Sequence, residues 1–246
     1  MKTHFKAKHP LFGRENKRLP IGYQQRSPYY WWWEFLRRNE DYLACCRDGG
    51  RGELVELYRD FGDVLNDSFK DWWTDGERGA RLFGEKPHKL NLRELQNPGE
   101  WDPNWTNKGV MVVAVPLDMP KRYLQSRFSY LLKGRHSGKR GRKSLSDPTA
   151  STALYPLYRN VSIETLRIQL EVYDKVMAKR RGDHDKTLAK IGEEMRLVKN
   201  AMPKPKDLPR DAEYKRNVMA ATVSRHFRDA QRIVKNVVRG QFPNSR

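Results

Sequence analysis

Two stripes on one helix constrain this chain more than any other feature. Between about Lys215 and Arg239, the residues Val223, Phe227, Ala230, Val234 and Val237 recur at steps of 4, 3, 4 and 3. Arg225, Arg228, Arg232, Lys235 and Arg239 recur at steps of 3, 4, 3 and 4. At about 100° per residue each series holds to one side of an α-helix, and the two-residue offset sets the series roughly 200° apart. One side must pack against the rest of the chain. The other presents cations in a row, with only Asp229 and Asn236 nearby. That spacing belongs to a helix and not to a strand, so the expected class is mainly α. A row of cations is either a solvated helix face or a surface for a polyanion.

The charge of the whole chain bears on that choice. The 246 residues hold 49 Lys+Arg against 30 Asp+Glu, a formal charge of +19. The surplus is uneven: +6 over residues 1–26, −4 over 27–110, +8 over 111–160 and +9 over 161–246. Such an excess points to DNA or RNA, and less to an anionic membrane. The chain has no apolar run long enough to span a bilayer, and its first residues lack a secretory h-region. Cys45 and Cys46 are its two cysteines and are adjacent, which favours a reducing, cytosolic setting over a disulfide framework.

A pass along the sequence predicts four regions. Residues 1–26 read as a flexible basic arm. Residues 27–109 read as a Trp-rich helical module. There Ser27-Pro28 opens a helix running to about Cys46, a second helix covers Glu53 to Phe61, and Asp67 or Ser68 caps a third from Phe69. The Trp31-Trp32-Trp33 run puts aromatic rings on several sides of its helix. That marks a helix buried on two sides, or a surface for a protein partner or self-association. Residues 110–149 read as a strand (Val110–Val115), a helix (Lys121–Lys133) and a basic linker. Residues 150–246 hold a helix capped by Ser162, a second over Thr187–Val198, a Pro-rich connector over 199–214, and the two-striped helix.

Three stretches carry two family resemblances. Thr187-Leu-Ala-Lys-Ile-Gly-Glu-Glu-Met-Arg-Leu197 resembles the first helix of a bacterial helix-turn-helix, with Ala189 as the small residue that lets the next helix approach. Thr222-Val223-Ser224-Arg225 resembles the start of a recognition helix in the same family. About 24 residues separate the halves, where a usual turn has three or four. This resemblance implies DNA contact by Thr222, Ser224 and Arg225, and the cation spacing extends it to Arg228, Arg232, Lys235 and Arg239, a row that fits the major groove, where Arg reads guanine and Lys or Arg neutralises phosphate. The loop cations Lys139, Arg140, Arg142 and Lys143 are expected to hold phosphates beside them. Trp33-Glu-Phe-Leu-Arg-Arg-Asn-Glu-Asp-Tyr42 resembles a segment of a proteobacterial transcriptional-regulator-like domain, which implies a bacterial or mobile-element setting and assigns no functional residue.

Catalytic signatures are weak. No phosphate-binding glycine loop, HExxH or cysteine/histidine metal spacing occurs. His4, His9, His88, His136, His184 and His226 are dispersed. Asp60, Asp63, Asp67 and Asp71 would line one face of a continuous helix and could hold Mg²⁺, but Gly62 and Asn66-Asp67-Ser68 break it, which favours a cap with solvated carboxylates. Cys45 reads as a small buried hydrophobe in preference to a reactive thiol. The reading is therefore a cytoplasmic, nucleoid-associated DNA-binding regulator without cofactor or catalysis. An RNA-binding accessory protein and a phage or anti-phage assembly component are the alternatives.

Overall fold

The computed structural model describes residues 4–14, 16–66, 68–85, 94–100, 111–133, 135, 151–160 and 162–246. Ser27 Oγ accepts the Tyr29 amide, and Pro28 supplies the fixed φ of a first helical turn, so α1 spans Pro28–Leu36. The expected continuation to Cys46 is interrupted. Asn39 leaves helical geometry, and its side chain accepts the Tyr42 amide to start α2, Glu40–Arg47, with Glu40 and Asp41 in the first turn. Then follow α3 (Val55–Phe61), α4 (Phe69–Thr74, capped by Ser68) and α5 (Arg78–Phe83). Later come α6 (Lys121–Leu132), α7 (Ile163–Arg181, capped by Ser162), α8 (Leu188–Glu194, capped by Thr187) and α9 (Pro209–Val237).

The fold is mainly α with a small β element, but that element is not where the sequence put it. Residues 111–116 form no strand, and Val110 lies outside the described residues. An apolar β-branched run needs a neighbouring strand for its amides and carbonyls, and no described segment offers one. The antiparallel pair is instead β1 (Gly13–Arg14) with β2 (Lys17–Arg18), inside the expected arm.

That arm packs. Phe5 lies against Tyr29 and Trp73, with ring centroids 6.0 and 5.9 Å away, and Phe12 lies 5.9 Å from Phe69. Reading 1–26 as a free arm overlooked these two apolar rings, which gain more from burial than the cations around them lose. For the Trp-rich helix the first of the two expected readings holds, burial on two sides: Trp31, Trp32, Trp33, Trp72 and Trp73 are all buried within the chain. On one side α1 meets α5 and α4, Tyr29 stacking on Phe83 at 4.6 Å and Trp33 meeting Phe69 at 5.5 Å. On the other, Trp32 and Phe35 meet Phe242 at 5.1 and 5.6 Å.

The expected division between 27–109 and 150–246 therefore does not hold. Both contribute to one hydrophobic core, from Trp32 and Phe61 through Leu166 and Val176 to Val223 and Val237. The chain divides into a unit of residues 1–87 and 144–246 and a second unit of residues 88–143. In the second unit α6 has no buried residue, and Tyr123 and Tyr130 are exposed on it. In the first, the chain's departure and return are tied together: Glu85 accepts hydrogen bonds from Ser151 Oγ (2.5 Å), the Thr152 amide (2.7 Å) and Thr152 Oγ1 (2.9 Å).

Candidate nucleic-acid interface

Helix α9 carries the site. Pro209 occupies its first turn, Asp211 sits near the positive helix end, and the helix runs 29 residues without a breaker, about 43 Å at 1.5 Å per residue. The expected connector to residue 214 is thus shorter, because Pro209 starts a helix as readily as it would end one. Val223, Phe227, Ala230, Val234 and Val237 are all buried, as the apolar stripe requires. Tyr173 of α7 stacks on Phe227 at 5.8 Å, and Asn39 donates to the Val234 carbonyl at 2.9 Å.

The opposite side is narrow. From residue 225 to residue 239 the exposed positions are Arg225, Arg228, Arg232, Lys235 and Arg239, one to each turn. Intervening residues are half-buried or buried. Arg225 to Lys235 span about 15 Å along the axis, Arg239 follows two residues past the end of α9, and none of the five has a carboxylate partner among the described residues. Many other cations of the chain do. Arg38 pairs with Glu34 and Asp174, Arg167 with Glu164, Lys186 with Glu194, Lys190 with Glu193, and Lys215 with Asp207. On the strip, Arg228 Nε donates to the Ser224 carbonyl at 3.4 Å and Arg232 Nη1 to the Ser245 carbonyl at 3.2 Å. The nearest acid, Asp229, faces the α7 flank, where it accepts from Gln169 Nε2 at 3.4 Å.

His226 adds no charge to this surface. Burial pushes its pKa down, neighbouring Arg225 pushes it further, and Asp229 opposes both. The strip's charge at neutral pH therefore comes from Arg and Lys alone. A cation the sequence reading missed lies over the apolar stripe: the Arg180 guanidinium sits 4.6 Å from the centroid of the Phe227 ring. The Lys179-Arg180-Arg181 run at the end of α7 was its visible signal.

The helix-turn-helix geometry needs correction. Thr222 is the fourteenth residue of α9 and begins no helix. Its hydroxyl donates back to the Val218 carbonyl at 2.9 Å, and Ser224 is half-buried. Neither hydroxyl stands at a helix N-terminus, where a recognition helix would use it. Close approach of α8 to α9 does occur, at Gly192 as well as at buried Ala189: a Cβ on Gly192 would collide with Met219 Cγ. Lys139, Arg140, Arg142 and Lys143 lie outside the described residues.

The acidic set is dispersed into local bonds. Asp60 accepts from the Tyr155 hydroxyl, Asp63 from the Leu65 amide and Asp71 from the Ser68 hydroxyl, while Asp67 lies outside the described residues. No group of three or more metal-ligating side chains gathers among the described residues. No described helix is long and apolar enough to cross a membrane. Compared with protein-family models, curated proteins and solved structures, the chain matches none.

Proposed function

We propose that this chain binds DNA through the outer face of α9, in a regulatory role without catalysis. One observation carries the reading: every exposed residue between 225 and 239 is a cation, and none is neutralised by a carboxylate among the described residues. A merely solvated helix face would be expected to mix signs, as α7 and α8 do with Glu164, Arg167, Lys190 and Glu193. Binding measured by anisotropy on a duplex tests it. Raising salt from roughly 50 to 200 mM should weaken the complex on the order of 10²- to 10³-fold, because about five neutralised phosphates each release counterions. Arg228→Ala with Arg232→Ala should cost on the order of tenfold or more at the lower salt. A complex indifferent to both changes would sink the proposal.

RNA is the second reading, and the buried tryptophans remove much of its motive. What still favours it is α6, where Tyr123 and Tyr130 are exposed and Arg127 lies 5.4 Å from the Tyr130 ring centroid. Exposed rings beside cations stack unpaired bases. Competition between duplex DNA and single-stranded RNA of equal length separates the two.

A further inference from the structure

We infer that the α9 strip grips the sugar–phosphate backbone and reads no base edges, so that its ligand is duplex DNA of any sequence. The inference rests on the DNA-binding reading and specifies what that site takes. A helix that reads bases must enter a major groove about 8.5 Å deep, and an α-helix with side chains is about 10–12 Å across. The residues flanking its outer face must then be free to enter with it.

Along its last four turns α9 has no such freedom. At about 100° per residue, Arg225, Arg228, Arg232 and Lys235 fall within an arc of roughly 80°, and Arg239 follows past the end of the helix. One flank is held by α7, through Gln169 on Asp229. The chain's last residues cover the same flank further along, with buried Asn236 donating to the Asn244 carbonyl at 3.0 Å and to the Arg246 carbonyl at 3.3 Å. On the other flank Ser224 and Gln231 are half-buried.

The chemistry of the strip agrees with that geometry. Bases are told apart by several side-chain types, Asn and Gln on adenine and hydroxyls among them. Here Asn236 is buried, Gln231 and Ser224 are half-buried, and the exposed residues offer positive charge alone. Arg228 spends one N–H on the Ser224 carbonyl of its own helix and Arg232 one on the Ser245 carbonyl beyond it, and both keep their other donors for phosphate oxygens. The first turns of α9 are freer, but there Asp211 and Glu213 stand exposed among Arg210 and Arg216, and acids beside the cations repel phosphate.

The test uses the full chain, a panel of unrelated duplexes of one length, and a duplex pool subjected to binding selection. The expected result is a panel whose dissociation constants agree within about threefold, with no enriched sequence in the pool. Arg228→Ala should weaken every duplex equally and lower the salt slope by about 0.9. Arg228→Lys keeps the charge but loses the fork that pairs with guanine, and should stay within about twofold of the parent on every duplex. Circular dichroism establishes that each variant folds. An enriched sequence bound at least tenfold better, with the preference erased by Arg228→Lys, would overturn the inference and leave DNA binding intact. A chain that binds no duplex overturns both.

Discussion

Asn39 joins two helices through both ends of one amide, and its partner in the second lies 195 residues away in sequence. Its Oδ1 accepts the Tyr42 amide at 2.9 Å to cap α2, and its Nδ2 donates to the Val234 carbonyl of α9 at 2.9 Å. The residue is 6% exposed, so neither group has water as a substitute. Asn39→Ala should therefore cost about 1–3 kcal/mol, the cap and the buried donor together. Asn39→Asp keeps the cap but aims a carboxylate at a carbonyl, and should cost nearly as much, although on an exposed cap the two residues are about equivalent. Urea unfolding decides it: an Asn39→Asp variant as stable as the parent would show that the Val234 bond contributes nothing. Half of this was readable beforehand. Asn followed by Glu40 and Asp41 is a helix-start signature, masked by the aromatic run before it. The bond to Val234 leaves no local trace, because nothing near residue 39 specifies what packs on it.

At the scale of elements, the sequence announced helices whose ends are chemical and whose faces are periodic. Ser162 caps as expected, Ser68 is the one of the two expected candidates that caps, and Thr187 caps α8 at the residue where the sequence starts that helix. Both stripes of α9 are as the spacing requires, since period and polarity are local properties. What the spacing could not supply is neighbours, and hence the missing partner of the 110–115 run and the depth to which α9 is embedded. The α8–α9 contact shows how close that embedding is. A Cβ on Gly192 would run into Met219 Cγ and stand 2.9 Å from its Sδ and 3.0 Å from Val223 Cγ2. Gly192→Ala should destabilise by about 1–3 kcal/mol through overpacking, despite the better helix propensity of alanine. Met219→Ala alone should cost about 2–5 kcal/mol as a cavity. The double variant should be less destabilised than the two losses combined, because each change relieves the other. Strict additivity in a chemical-denaturation cycle would mean that α8 does not press on Met219.

For the whole molecule, the unexpected property is that residues 27–85 and 151–246 make one core while 88–143, between them in sequence, form a separate unit. A sequence reading takes a long polar stretch as a boundary between successive domains. It cannot see that the chain comes back to the domain it left, because that return is written only in contacts such as Glu85 with Ser151 and Thr152, and the Tyr155 amide with the Leu82 carbonyl at 3.0 Å. If those contacts close the core unaided, replacing residues 88–143 with a short Gly/Ser linker should leave the remainder folded. The shorter closure should even favour it by about 1 kcal/mol. Thermal melting should stay cooperative and within a few degrees of the parent. Duplex binding should weaken but persist, because Lys139, Arg140, Arg142 and Lys143 are gone and the α9 strip is not.

Glu85 then becomes the residue on which closure turns. Burial pulls its pKa up, but the bonds from Ser151 and Thr152, aided by Lys6, outweigh burial and hold it below its ordinary 4.5. A carboxylate depressed in the folded state contributes stability above that ordinary value and loses it as pH falls through the folded one. Glu85→Gln should accordingly lower stability at neutral pH, in the full chain and in the linker form alike, and the gap to the parent should narrow on acidification. A gap that stays constant with pH would mean the ionised carboxylate is not what holds the two ends together. Collapse of the linker form with Glu85 intact would mean that residues 88–143 are needed to complete the core.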